Sequence, residues 1–445
     1  MDATRVAALT ERENQRFAET HPASAALRER ARASMPHGYP MSWFSDMYAH
    51  GAPFAVSGEG ARFTDADGRR YVDFNLADMS MFCGFAPAAV RAAASQRMAQ
   101  GWQFLLPTED AIWVAEELGR RYGLPRWQFT LSATTANVEA MRLARVATER
   151  PVVVMFDGRY HGHADEMLFA PGDGGLVAEY LGLDPDAAHR VRVVPFNDPE
   201  ALGAALAPGD VACVVTEPAM TNAGVIQPLP GFHDALRRLT RDSGALLLID
   251  ETHTQVCGPG GLTRQWGLEP DLLTLGKSAA GGLPFGAYGM TDALAAVFER
   301  PDPADPHAEI AAGGTLFANA LSMAAARAAL GTVLNDDAYA HTAALGTRLA
   351  DGIESAAADA GLPWRAHRLF PRSGYAHGGE LPTNAEEARR GFRRDVADLQ
   401  RVYFANRGVW EAISSAGPCV GVAHADADVD EYLNVLSGFV RELIA

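Results

Sequence analysis

Residues 272–282 read LLTLGKSAAGG: an apolar run, a glycine, a lysine, then small residues. Lys277 is the single lysine among 445 residues, against 37 arginines. Composition offers one explanation, since a chain rich in Ala, Gly, Arg and Asp loses lysine generally. Chemistry offers another. An amine can shed its proton and act as a nucleophile, whereas a guanidinium stays protonated. A solitary lysine at a strand end, before a glycine run, has the pattern of a Schiff-base residue.

Working outward, DLLTLG is one of several short apolar runs that alternate with amphipathic segments between about 105 and 290. WQFTLS, PVVVMFDG, VRVVPFND, ACVVTEP and GALLLID read as strands. TEDAIWVAEELGRRYG, TTANVEAMRLARVATER and GFHDALRRLTRDSG read as helices. Short β-branched runs between helices predict a mostly parallel sheet covered on both faces, an α/β fold. ARFTDADGRRYVDF reads as a hairpin around Asp-Gly. Past residue 320, ALSMAAARAALGTVL is a long helix leading to a smaller lobe. That lobe holds NAEEARRGFRRDVADLQRVYFANRGV and the closing helix DADVDEYLNVLSGFVRELIA. Three parts are expected: residues 1–60 as a helical arm and aromatic-rich segment, 61–320 as the large domain, and 321–445 as the small one. HRLFPRSGYAHGGELPTNAE is the longest loop-like stretch, and the glycine-rich APGDGGLVAEYLG has the position of a lid.

The formal net charge of −17 argues against nucleic acid as a partner. No apolar run is long enough to span a bilayer, and the first twenty residues lack a signal-type apolar core. Cys83, Cys213, Cys257 and Cys419 lie far apart with no CxxC. A reduced, cytoplasmic protein without disulfides or a zinc site is expected.

Doubly wound sheets bind ligands at the carboxyl ends of their strands. After WQFT come Ser132, Ala133 and Thr134, small and hydroxyl residues at a helix start. They can serve as an N-cap or as an anion site. After VVVMF comes Tyr160, an aromatic placed to stack on a planar ligand. His161 and His163 beside it read as ordinary loop histidines, since no third metal ligand has a fitting spacing. After ACVVT come Glu217 and Asn222. Asp250 and His253 follow ALLLI, and Lys277 closes the next strand. No P-loop occurs, which disfavours a nucleotide hydrolase, and no G-x-G-x-x-G follows an early strand. Pyridoxal phosphate uses all the remaining parts: a lysine for the imine, a carboxylate for the ring nitrogen and an anion pocket for the phosphate.

With these motifs in hand, the sequence resembles the class III (ω-type) aminotransferases of fold type I, near their glutamate-1-semialdehyde aminomutase branch. SATTA, FDGRYHGHAD, EPAMTNAGVIQPLPGF, LLIDETHT, TLGKSAAGGLPFGAYG and GGTLFANALSMA carry the resemblance, which runs from about residue 35 to the C-terminus. It implies a mostly parallel seven-stranded sheet with helices on both faces and a smaller C-terminal α+β domain. It implies that Lys277 forms the Schiff base and shuttles the proton, that Asp250 pairs with the pyridinium and that Tyr160 stacks on the ring. Ser132, Ala133 and Thr134 would bind the phosphate, with Thr315 completing that site from the other subunit of a homodimer. Glu217 and Asn222 would lie near the substrate side of the ring.

Some residues depart from the family pattern. Ala133 stands for a glycine, Thr135 for an acidic residue, and Thr252 and His253 for an apolar residue and its Met or Gln neighbour. His253 can bond the cofactor's phenolic oxygen, meet substrate or simply pack. In MPHGYPMSWF, Ser42, Trp43 and Phe44 stand where relatives often carry an arginine for the substrate carboxylate. An aromatic wall cannot make that bidentate contact. Arg372 can supply the missing charge, although it reads more simply as a surface arginine.

The resulting expectation is a ping-pong aminotransferase moving an amino group from an amine or amino acid to a keto or aldehyde acceptor. The alternatives are an aminomutase of the glutamate-1-semialdehyde type, a racemase or epimerase, and a non-catalytic pyridoxal-phosphate-binding dimer.

Overall fold

Among the described residues, short apolar runs and the helices between them assemble into one large sheet and three small ones. The computed structural model describes residues 2–299, 310, 312–411 and 417–445. The strands are β1 (Ala55–Glu59), β2 (Arg62–Asp65), β3 (Arg70–Asp73), β4 (Arg126–Thr130), β5 (Val152–Phe156), β6 (Phe169–Gly172), β7 (Gly175–Ala178) and β8 (Val191–Val194). There follow β9 (Val211–Thr216), β10 (Leu246–Asp250), β11 (Leu272–Leu275), β12 (Gly286–Met290), β13 (Arg365–Leu369), β14 (Arg372–Ala376) and β15 (Val409–Trp410).

The chain divides into two compact units. One comprises residues 88–340 and 382–390, the other residues 1–87, 341–381 and 391–445. These limits differ from the sequence expectation of breaks at 60 and 320, and side-chain burial explains the difference. In helix Ala3–Thr20, Val6, Leu9, Glu13 and Phe17 form a buried stripe. Val6 and Leu9 belong to the same core as Leu349, Phe404 and Phe439. Glu13 accepts hydrogen bonds from Asn406 (2.8 Å) and Arg407 (3.0 Å). The arm is therefore part of the C-terminal unit. Conversely, Ala385, expected in the small lobe, is buried in a core cluster of the large unit with Val154 and Phe156.

The large unit is built on a seven-stranded sheet of order β4-β12-β11-β10-β9-β5-β8. Only β12 runs against its neighbours, pairing antiparallel with β11 and β4. Every residue of β5, β9, β11 and β12 is buried. Such burial on both faces requires the unbroken apolar runs seen in the sequence. The pleat divides β5 between two cores. Val153 and Met155 join Ala140 and Leu143 of helix Ala133–Thr148, while Val152, Val154 and Phe156 join Leu202 and Leu236 of the helices on the other face. Because β4, β5, β9, β10 and β11 point the same way, the residues that follow them converge on one edge.

The second unit holds the sheet β1-β2-β3-β15 and the hairpin β13–β14. That hairpin, Arg365–Ala376, overlaps the first ten residues of HRLFPRSGYAHGGELPTNAE, so half of the stretch read as loop is regular structure. APGDGGLVAEYLG likewise contains a hairpin, β6–β7. The long helix after 320 is regular over Ala320–Ala328 and widens to a π-turn at Ala329–Val333. Among the described residues, no helix is long and apolar enough to cross a membrane.

Candidate active site

After β4 comes Ser132, the N-cap of helix Ala133–Thr148. Its hydroxyl accepts from the Thr135 N–H (3.3 Å), and the Thr135 hydroxyl accepts from the Ser132 N–H (3.2 Å). Thr135 thus performs the reciprocal capping that an acidic residue performs elsewhere. The first N–H groups of the helix have no partner within it, and the dipole adds positive potential there. Two glycines bring other strand ends against this turn. Gly162, at φ +124°, lies so close to Thr134 that a Cβ would collide with its side chain. Gly286 lies equally close to the Ser132 carbonyl.

Asp250 ends β10 and is buried. One carboxylate oxygen accepts from Asn137 Nδ2 (2.9 Å) and His161 Nδ1 (2.8 Å). The other accepts from the Thr252 backbone N–H (3.0 Å). Asn137 is fixed in turn, donating to the His161 carbonyl (2.9 Å) and accepting from the Thr274 hydroxyl (2.6 Å). Burial alone would raise the Asp250 pKa, but hydrogen bonding and the charge of His161, with further help from Thr252 and Asn137, hold it below the usual carboxylate value. Asp250 is thus kept as an anion suited to a pyridinium N–H.

Two members of this network were not singled out from sequence. His161, read as an ordinary loop histidine, is buried and orients Asp250. Its only available signal was its place beside Tyr160. Asn137 was one polar residue on the buried face of a helix of small residues.

Lys277 follows β11 at φ +47°, a left-handed conformation that costs an L-residue roughly 1–2 kcal/mol. Gln255 Nε2 holds the preceding Gly276 carbonyl (2.9 Å) and also the Thr252 carbonyl (2.8 Å). That side chain ties the loop after Asp250 to the one before Lys277. Tyr160 is 37 % exposed, and its ring meets that of His163 edge-on at 5.8 Å. The buried Arg159 next to it donates to the carbonyls of Met167 (2.8 Å) and Phe169, pinning the entry to the β6–β7 hairpin.

A second polar chain runs through Glu217, Thr221 and His253. The Thr221 N–H reaches one Glu217 oxygen (3.2 Å) and its hydroxyl the other. His253 Nδ1 lies 2.7 Å from the same hydroxyl. Asn222 sits on the turn closed by the Met220–Ile226 bridge. Thr315 lies on an exposed turn, where its carbonyl accepts from the Gln103 side chain.

The other expected residues belong to the second unit. Trp43 is 41 % exposed and packs edge-on against Phe44 at 4.5 Å. Arg372, expected at the surface, is instead the first residue of β14 and 1 % exposed.

A carboxylate held as an anion, an amine, a partly exposed aromatic ring and a capped helix start all lie on one sheet edge. This donor set fits pyridoxal phosphate, and Gly162 and Gly286 pack closely against the helix start.

The family model for class-III aminotransferases matches residues 47–367. A glutamate-1-semialdehyde 2,1-aminomutase of Gemmatimonas aurantiaca is 38 % identical over 322 residues, covering 70 % of this chain and 72 % of its own. A solved glutamate-1-semialdehyde aminomutase of Pseudomonas aeruginosa PAO1, a lysine-to-alanine variant in complex with PMP, is 39 % identical with a TM-score of 0.95, covering 100 % of this chain and 99 % of that one. An omega-transaminase of Sphaerobacter thermophilus is 29 % identical with a TM-score of 0.86, covering 94 % of this chain and 97 % of that one. Matched by that family model over most of its length and built on the same type I fold, the chain belongs to the class III aminotransferase family, whose cofactor is pyridoxal phosphate.

Proposed function

We propose that this enzyme is an aminomutase, moving an amino group between neighbouring carbons of one small amino-carbonyl substrate. The observation that carries this reading is the likeness to an aminomutase along essentially all of both chains. It takes the place of the intermolecular transfer that the motifs first suggested. When bound, the cofactor supplies an electron sink for the pair left at the substrate carbon.

The chain's own residues do the rest. Lys277 takes the proton from one carbon and returns it elsewhere. Asp250 keeps the ring nitrogen protonated through its anionic charge. Tyr160 covers the ring, and Ser132, Ala133 and Thr134 hold the phosphate. Glu217, Asn222 and His253 border the substrate side, and Trp43, Phe44 and Arg372 are the candidate substrate contacts. A second copy of the chain brings Thr315 to the phosphate. The exposed apolar run Trp102, Phe104, Leu105 and Leu106 supports this homodimer, since it needs a cover. The four buried thiols suit a reducing cytoplasm.

One observation favours the transaminase instead: MPHGYPMSWF carries no arginine for a substrate carboxylate. A single experiment separates the two. The cofactor-loaded enzyme is given glutamate-1-semialdehyde, and separately a panel of amines, without any acceptor. An aminomutase isomerises its substrate catalytically. A transaminase stops after one equivalent and resumes only when a keto acid is added. In either case Lys277→Ala lowers turnover by at least ~10³-fold. Normal turnover in that variant would sink both readings.

A further inference from the structure

Within the second unit, the N-terminal helices and the segment after them line a cavity of about 240 Å³. Several polar groups in its wall are already engaged. His21 Nδ1 lies 2.7 Å from the Phe17 carbonyl, and its Nε2 lies 2.6 Å from the Tyr71 hydroxyl. The Ser24 hydroxyl donates to Asp67 (2.6 Å) and accepts from the Phe54 N–H (3.2 Å). Two other wall residues differ. Tyr39 is 4 % exposed, and its hydroxyl accepts from the Ala52 N–H (2.9 Å). Among the described residues, no acceptor takes the hydrogen of that hydroxyl. The Arg28 guanidinium donates to the His37 carbonyl (3.4 Å) and lies 4.8 Å over the Tyr39 ring, with no carboxylate partner among the described residues. Both donors border the same space. A Cβ built on Gly51, which also lines the cavity, would lie 3.8 Å from Arg28 Nη1 and 4.0 Å from Tyr39 Oη, and would meet no other residue within 4 Å beyond its chain neighbours.

The charge of the wall has one sign in excess. Arg28 and Arg32 line it against Glu29, whose side chain is largely exposed and lies 3.6 Å from Arg32. His50, in the same wall, is kept neutral by burial, which pushes its pKa down to about 3. A guanidinium and a phenol hydrogen require an acceptor, and a charged acceptor makes the stronger bond to both. We propose that this cavity binds a small oxyanion, a carboxylate or phosphate group, between the Arg28 guanidinium and the Tyr39 hydroxyl. Its occupant would sit behind the aromatic segment of the candidate substrate contacts, since Tyr39 meets Phe44 edge-on at 5.9 Å and Phe44 meets Trp43 at 4.5 Å. The site does not depend on which amino-group reaction the enzyme performs.

Calorimetric titration of the cofactor-loaded enzyme with inorganic phosphate, and separately with acetate, tests this in a buffer without other oxyanions. Loading with pyridoxal phosphate keeps the probe out of the cofactor's own phosphate position. The expected result is saturable binding of one equivalent of at least one probe, with a Kd of about 1 mM or tighter. The tighter probe identifies the group as tetrahedral or planar. Arg28→Gln weakens that binding at least ~10-fold and Tyr39→Phe about 5-fold. Arg365→Gln, which removes an exposed arginine of the same unit, binds as the wild type does. Circular dichroism checks the fold of each variant, and Tyr39→Phe decides alone if Arg28→Gln does not fold. No saturable binding of either probe to the wild type, or wild-type affinity in a folded Arg28→Gln or Tyr39→Phe, overturns the proposal. So does an equal loss in Arg365→Gln. Binding is read without turnover, so failure of the aminomutase reading, seen as absent amino-group chemistry, is a separate result.

Discussion

Asp250 and Glu251 are neighbours at the end of β10, both buried, yet their surroundings drive them apart. Asp250 faces His161 and Asn137 and is held below the ordinary carboxylate pKa. Glu251 meets the Thr254 hydroxyl (2.6 Å) and the backbone N–H groups of Leu262 (3.3 Å) and Thr263. Burial outweighs those bonds and pushes it up to about 7. Both acids are well hydrogen-bonded, so bonding alone does not decide the charge. The difference is the imidazole. A group able to carry a full charge offsets desolvation, whereas hydroxyl and amide dipoles do so only in part. One acid is thereby suited to a cofactor, while the other caps the short helix Gly261–Gln265.

The largest expected effect tests the first half of this comparison. Asp250→Asn removes the charge but keeps the shape, and should lower kcat/KM by ~10²–10³-fold with the fold intact. Turnover beside circular dichroism measures this, and activity within a few-fold of wild type would break the comparison.

Glu251 gives a smaller effect of a different kind. Its folded pKa lies above the ordinary 4.5, so between about 4.5 and 7 the folded state binds more protons than the unfolded one. Stability from this group is complete below that window and is lost as pH rises through it, by of order 1–3 kcal/mol. Asp250 has the opposite sign: its contribution is present above about 3.8 and disappears as pH falls through its lowered value. Denaturant melts from pH 4.5 to 7.5 should show a decline in the wild type that flattens in Glu251→Gln. An identical slope in both would remove Glu251 from the account.

The smallest effect sharpens the role of Asn137. Thr274→Val deletes the hydroxyl that holds its Oδ1 and should weaken cofactor binding by about 1 kcal/mol, roughly five-fold. Titration of the cofactor-free protein with pyridoxal phosphate reads this directly.

The large sheet was legible because strands buried on both faces must be apolar throughout, as in PVVVMF and ACVVT. The positions of Asp250 at the end of one such strand, and of Lys277 and Ser132 just after two others, were legible for the same reason. His161 was not, because its purpose is visible only 89 positions away, at Asp250. Arg372 was misread for a related reason. An arginine in a polar stretch resembles a surface residue until it is known to start a buried strand. The Ala385 segment and the N-terminal arm were assigned to the wrong parts of the chain, since their apolar stripes do not say which core they will join.

The sequence alone determined which residue types end each strand, and with them the cofactor: one lysine, one aspartate and one capped helix start in a fixed order. Local patterns suffice there, because periodicity and caps act over a few residues. Only the tertiary structure decided which of two adjacent acids stays charged, which histidine serves Asp250, and that Thr221 links Glu217 to His253. Those outcomes depend on desolvation and on partners brought within 3 Å from distant positions, and no local pattern encodes either.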